Sequence, residues 1–357
     1  MQVLVTGGAG FIGSHVVDAL VSEGHRVRVL DILSDAAHAG RPTYLRDDVD
    51  YVEADLLTVA DRPRVVAGAD AVAHLASRVG LGKDVLDAPD YVRDNDLGTA
   101  VFLRALAEAD GTGRIVLASS MVVYGEGRYR APDGRLVRPG PRRPEDLDAG
   151  RFEARDPQTG QDLTPEAVGE DAPVDPRNTY AATKLHQEHL CRAFGIERGV
   201  PVTMLRYHNV YGPRMPRDTP YAGVASIIRS AYEAGRAAQV FEDGRQLRDF
   251  VHVSDVADAT VRALLVDPPV DGAVNVASGD PRTVLDMARA LRLAFGDGAP
   301  APEVTGRWRA GDVRHVFADP RRAQRELGFT ARVAFADGMA QFATAPLRAS
   351  LVAEQRR

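Results

Sequence analysis

The chain predicts an α/β fold, a doubly wound parallel sheet over about the first 210 residues followed by a smaller mixed C-terminal lobe. Three observations lead there. Its strand-like runs are continuously apolar, the pattern of strands buried on both faces. Segments with helical spacing separate these runs, and parallel neighbours need such crossovers. A glycine-rich turn joins the first run to the first helical segment.

In order, QVLVT (2–6) reads as a strand and Phe11 to Glu23 as a helix. RVRVLD (26–31), YVEAD (51–55), DAVAHLA (70–76) and RIVLASS (114–120) are further strands, with a helix over 91–109. A helix from YAATK (180–184) to about Arg198 and the strand PVTMLRY (201–207) complete the first unit. Residues 126–178 interrupt it with eight prolines, nine arginines and no sustained period. So long an irregular stretch inside a compact domain is usually functional or mobile. Beyond Gly212, helices over 223–236, 254–266 and 283–295 mix with short strands. The expected division is a dinucleotide domain at 1–210, a substrate lobe at 211–345 with some chain crossing back, and a tail at 346–357.

Composition narrows the function. A net charge of −6 argues against nonspecific nucleic-acid binding, which needs a basic face. The one cysteine, Cys191, leaves no internal disulfide and no Cys-cluster metal site, and reads as a helix core residue. No metal site and no membrane partner are expected. MQVLVTGGAG reads as a strand and not a signal peptide, so a cytoplasmic location is expected. No run approaches the roughly 20 apolar residues that cross a bilayer.

TGGAGFIGS (6–14) spaces Gly7, Gly10 and Gly13 three apart around Phe11 and Ile12, after a strand and opening a helix. The first glycine permits the tight turn, the second admits a pyrophosphate, and the third brings helix against strand. Asp31 ends the second strand, where a carboxylate binds adenosine ribose hydroxyls and repels a 2′-phosphate. The expected cofactor is therefore NAD. Asp55 and Leu56 suit the adenine edge or, equally, a plain strand-end cap.

Tyr180 and Lys184 lie one helical turn apart on a common face. Only two of the 44 basic side chains are lysines, Lys83 and Lys184, in a chain that otherwise uses arginine. Arginine cannot shed its proton to suit a relay. An ammonium beside a phenol favours phenolate, so Tyr180 is the candidate base and Lys184 its helper. Ser120, at a strand's carboxyl end, can hold the same substrate oxygen.

With these residues, the chain resembles the extended short-chain dehydrogenase/reductases, the NAD-dependent sugar epimerase/dehydratase family. The resemblance rests on TGGAGFIGS, HLAS (74–77), Asn95 of RDNDLGT, ASSMVVYG (118–125), YAATK, LRYHNVYGPR (205–214), RDFVHVSDVA (248–257), RAGDVRHVFAD (309–319) and RELGF (325–329). It implies a Rossmann-like domain, a nucleotide-diphosphate sugar bound against the second lobe, and a homodimer. It also implies cofactor contacts from Leu75, Ala76, Ser77, Asn95 and Tyr207, and a catalytic role for Ser120. Substrate contacts would come from Met121, Asn209, Arg248, Arg309 and Asp312. Lys83 is a candidate for sugar contact or plain solvent exposure. His208 could touch sugar or only pack, and His252 reads as a buried structural histidine.

Family 4,6-dehydratases follow the Ser/Thr with Asp-Glu, whereas here Met121 and Val122 follow, neither able to move a proton. That disfavours loss of water and leaves transient oxidation with hydride return, a 4-epimerisation. The longer insertion is similar to that of dTDP-rhamnose-type 4-epimerases and suggests a lid or wall shaping sugar choice. A 4-ketoreductase or uronate decarboxylase is the alternative, and an NAD-sensing regulatory protein a remote one.

Overall fold

The computed structural model describes residues 1–35, 37–80, 85–109, 112–217 and 223–348. Seven strands form the central sheet: β1 (Gln2–Thr6), β2 (Arg26–Asp31), β3 (Asp50–Glu53), β4 (Ala71–His74), β5 (Ile115–Ser120), β6 (Val202–Tyr207) and β7 (Gly272–Val276). Their spatial order is β7-β6-β5-β4-β1-β2-β3, and every pairing is parallel. The order reverses between β1 and β4. Open sheets of this kind bind ligands at that switch point, beyond the strands' carboxyl ends.

Alternation along the strands builds two cores. Val3, Val5 and Val29 face Val16, Val17 and Leu20 of α1 (Phe11–Ser22). Leu4, Leu30, Val72 and Leu117 face the other way, against Phe102, Leu103 and Leu106 of α2 (Gly98–Glu108) and Cys191 of α3 (Thr179–Arg198). Each fully buried Leu or Phe contributes about 2 kcal/mol of transfer free energy.

The chain crosses back to the sheet in the helix α4 (Val253–Leu265), which places Val256, Ala259 and Val261 in the same core as α1. One expectation is corrected: the stretch 91–109 is not one regular helix. A short helix Ala88–Tyr91 passes into a π-helical segment Val92–Leu97 before α2 begins. The wider turn frees the Asn95 carbonyl, which accepts from Gln187 Nε2 at 3.3 Å.

The smaller lobe has its own core of Ile228, Tyr232, Met287, Leu291, Met339 and Phe342. Helices Val224–Glu233, Val284–Phe295 and Phe335–Thr344 supply most of it. Strands Asn209–Tyr211, Leu247–His252 and Pro281–Thr283 make a three-stranded sheet beside them.

The proline-rich insertion is folded. Strands Leu136–Val137, Arg128–Arg130 and Thr164–Glu166 form an antiparallel sheet over Tyr129, Ala131, Ala154 and Leu163. Strands of two or three residues leave no period to read. A buried ionic cluster fastens this unit to the smaller lobe. Fully buried Arg314 bonds Glu242 at 2.9 Å, Asp243 at 2.7 Å and, across the junction, Glu153 at 2.5 Å. Arg142 of the insertion reaches Glu242 at 2.8 Å and the Asp312 carbonyl at 2.7 Å. The insertion is therefore a docked wall.

Candidate active site

The glycine turn fits a dinucleotide for steric reasons. Gly7 has φ +70°, and a Cβ there would lie 2.7 Å from the Ala76 nitrogen. A Cβ on Gly13 would lie 2.1 Å from the Gly7 carbonyl. No side chain is tolerated at either, so the chain of β1 passes close to the Leu75–Ala76 backbone. Thr6 Oγ1 accepts from both amides there, at 3.2 and 3.1 Å. Phe11 and Ile12 begin α1 half-buried, its free N–H groups facing the cleft.

Asp31 ends β2 against this turn. Its carboxylate accepts from Ala9 N at 3.0 Å and Leu33 N at 2.9 Å. Burial pushes its pKa up, and these amides hold it down. Asp55 caps the following 3-10 turn through Leu57 N at 3.0 Å and pairs with Arg93 at 3.2 Å, while Leu56 packs in the core. Its carboxylate thus serves local structure first.

Ser120 is the last residue of β5 and Tyr180 lies in the first turn of α3. The Asn178 side chain caps that helix by accepting from Ala181 N at 2.9 Å, which sets where Tyr180 emerges. Burial pushes the Tyr180 phenol up to about 12, opposed by its hydrogen bond with Ser120. The Tyr91 ring stands 6.1 Å from the Tyr180 ring, a neighbour that the sequence did not single out. Lys184 is buried and donates from Nζ to the Ala118 carbonyl at 2.8 Å. Burial pushes its pKa down to about 7.

Behind these groups runs a buried polar chain. Ser119 Oγ donates to Glu188 at 2.5 Å, and Arg206 donates to the same carboxylate at 2.9 and 2.8 Å. The Arg206 guanidinium stacks 4.8 Å from the Tyr124 ring, whose hydroxyl donates to Asn275 at 2.8 Å. β5, α3, β6 and β7 are thereby tied together beneath the site. Glu188 was detectable in principle, four and eight residues from Lys184 and Tyr180 on one helix face.

Several expected contacts are placed otherwise. Asn95 is fully buried and its amide is wholly used: Oδ1 accepts from Ser77 Oγ at 2.9 Å and Arg78 N at 2.7 Å, and Nδ2 donates to Thr183 and the Arg78 carbonyl. It orients Ser77 and α3 and has no atom left for a cofactor. Tyr207 points into the core under α4, its hydroxyl 2.7 Å from Thr260 Oγ1, because alternation along β6 sends Arg206 the other way. Met121 packs with Val123, Tyr124, Val168 and Val316, buried by the returning insertion. Arg248 spends three of its five donors on the carbonyls of Leu247, Arg314 and Val313, bracing the turn it was expected to leave. Lys83 lies outside the described residues.

Other substrate candidates do gather. Arg248 and Arg309 both act on the Asp312 carboxyl, lowering what burial raises. Arg309 is exposed, stacked 4.7 Å from the Phe241 ring. Asn209 is half-buried, and its Oδ1 has no partner among the described residues. Burial pushes the ring of His208 down to about 4, opposed by the Asp249 charge and the Asn275 side chain beside it. His252 accepts from Ser254 N at 3.3 Å and caps α4, a structural role.

The sequence profile of the NAD dependent epimerase/dehydratase family matches residues 3–146 and 157–277. The chain belongs to that family. The interval between the matched parts falls inside the insertion. Among curated relatives, a dTDP-L-rhamnose 4-epimerase of Burkholderia thailandensis is 32% identical over 348 residues, 96% of this chain and 94% of that one. A UDP-glucose 4-epimerase of Mycolicibacterium smegmatis is 33% identical over 350 residues, covering 96% and 97%. The solved UDP-glucose 4-epimerase of Thermus thermophilus, in complex with NAD, matches with a TM-score of 0.76 at 29% identity, covering 96% and 98%. The family is NAD-dependent, and the sterically closed glycine turn with Asp31 beside it fits that cofactor. No helix among the described residues is long and apolar enough to cross a membrane.

Proposed function

We propose that the chain is a nucleotide-sugar 4-epimerase, with a nucleoside-diphosphate deoxyhexose as the first candidate substrate. One observation carries the reading. Ser120, Tyr180 and Lys184 converge at the carboxyl edge of the sheet that also carries the glycine turn. The glycine turn and Asp31 would hold NAD there, and the cofactor would supply reversible hydride chemistry at a sugar carbinol.

In this reading Tyr180 removes the hydroxyl proton as the carbon–hydrogen bond breaks. Ser120 donates a hydrogen bond to the same oxygen and holds it. A phenol pushed up to about 12 by burial needs positive charge to ionise near neutrality. The N-terminus of α3 and the protonated fraction of Lys184, whose pKa burial sets at about 7, are the proposed sources. Tyr180 then returns the proton to the oxygen as hydride reaches the opposite face of the 4-keto sugar. The product is inverted at one carbon, with no net redox change.

The same wall argues against dehydration. Elimination needs an acid and a base beside the sugar, and Met121 and Val122 supply neither. Arg309 and the remaining donors of Arg248 are the proposed diphosphate contacts, because guanidinium binds phosphate through paired hydrogen bonds. The similarity to the B. thailandensis enzyme, spanning 96% of this chain, supports a deoxyhexose. A cytoplasmic homodimer is proposed as its working form.

The test is a panel of dTDP-, UDP-, GDP- and CDP-hexoses incubated with catalytic NAD and followed by proton NMR and NADH absorbance. Inversion at C4 without NADH build-up is expected. Stoichiometric NADH change or loss of a carboxylate would move the assignment to a ketoreductase or a decarboxylase.

A further inference from the structure

One arginine reaches the dinucleotide cleft from the far end of the chain. The segment 346–348 runs beside 214–217, with Arg214 N donating to the Pro346 carbonyl at 2.7 Å and Arg348 N to the Met215 carbonyl at 3.0 Å. Arg217 N closes the ladder on the Arg348 carbonyl at 2.9 Å. This backbone pairing fixes where the Arg348 side chain leaves. Its Nη1 lies 3.7 Å from the position a Cβ on Gly10 would take. Nε and Nη1 are buried and have no hydrogen-bond partner among the described residues.

Its surroundings are the adenosine side of the cleft. The Arg348 charge is felt by the carboxyl of Asp31, the phenol of Tyr44 and the ring of His38, each shifted first by burial. Tyr44 donates to the Ala9 carbonyl at 2.8 Å, inside the glycine turn. Two positive features thus meet at Gly10, the guanidinium and the N-terminus of α1. The Asp31 carboxylate feels the Arg348 charge, but its oxygens already serve Ala9 N and Leu33 N. The Tyr44 hydroxyl takes one hydrogen bond from the guanidinium, and its buried Nε and Nη1, left without partners among the described residues beside free helix amides, call for a dianion between them.

We infer that Arg348 is a cofactor-anchoring residue that binds the pyrophosphate of the dinucleotide over Gly10, so that the chain's C-terminal segment closes the NAD site. The contact is made by a residue about 340 positions from the glycine turn, beyond the matched family segments. Charge-assisted hydrogen bonds of this kind make its loss a matter of about tenfold to a hundredfold in affinity. The inference rests on NAD being the cofactor.

Titration calorimetry on protein stripped of nucleotide tests it, using NAD, ADP-ribose and adenosine with wild type, Arg348→Ala and Arg348→Lys. Arg348→Ala is expected to weaken NAD and ADP-ribose by about tenfold or more while leaving adenosine unchanged, with Arg348→Lys between. Its unliganded melting temperature, expected at the wild-type value, shows that the variant is folded. Unchanged or tighter NAD binding by Arg348→Ala overturns the assignment, tighter binding marking Arg348 as a plug. Equal losses for adenosine and ADP-ribose also overturn it. Wild type that binds no NAD overturns the cofactor reading itself.

Discussion

Lys184 Nζ donates to the carbonyl of Ala118 at 2.8 Å, which ties the helix carrying Tyr180 to the strand that ends in Ser120. The lysine therefore has two tasks. It ties the helix to the strand and so fixes the separation of Tyr180 and Ser120, and in the proposed mechanism it also favours the phenolate. Arginine at this position would be too large for a pocket in which Lys184 is 3% exposed.

Tyr180→Phe removes the proposed base and keeps the ring beside Tyr91. Turnover is expected to fall by about 10² to 10⁴ while NAD affinity stays at the wild-type value. Initial rates with calorimetric NAD binding check both halves. Substantial residual turnover would take the base role from Tyr180.

Lys184 carries a pH signature. Its folded pKa, about 7, lies below the unfolded value of 10.5, so between these values the unfolded chain binds more protons and stability rises with pH. The cost of burying the ammonium is complete below about pH 7 and absent above about pH 10.5. Lys184→Met lacks this term. Its melting temperature relative to wild type should be highest near pH 6 and decline toward pH 10. A difference independent of pH would contradict the burial argument.

Glu188 and Arg206 form a pair whose side chains are 5% and 7% exposed. Glu188→Ala strands a buried guanidinium and is expected to destabilise the protein by about 3–5 kcal/mol, measured by urea unfolding. A loss below 1 kcal/mol would show that water or Tyr124 replaces the carboxylate.

The insertion should loosen before the sheet at low pH. Burial pushes the Glu153 carboxyl up, but hydrogen bonds from His315 and Arg314 outweigh it and hold the group at about 2. A depressed carboxylate contributes stability that is full above the unfolded value of 4.5 and is lost as pH falls toward 2. Hydrogen exchange across 126–178 should therefore accelerate in that window, ahead of β1 and β5. Simultaneous loosening would mean that other contacts hold the wall.

Much of this was legible in the sequence because its physics is local. QVLVT followed by spaced glycines specifies a strand, a turn and a helix start within 14 residues. Tyr180 and Lys184 were readable because a helix brings residues four apart together. What escaped depends on distant chain. The alternation of β6 decides whether Tyr207 or Arg206 faces the site, and only the packing of α4 settles it. Asn95 looked available until its amide was matched to Arg78, Ser77 and Thr183. The insertion hid its order because its core is assembled from strands of two and three residues and ion pairs to residues more than 70 positions away. Arg348 could not be singled out among 42 arginines.

The most direct test of the central claim follows one atom. The nucleotide sugar found active in the panel is prepared with deuterium at C4 and incubated in ordinary water with catalytic NAD. The account predicts inverted product that retains its deuterium at C4, because the same hydride leaves and returns. Loss of the label to solvent, or inversion with stoichiometric consumption of NAD, would contradict it.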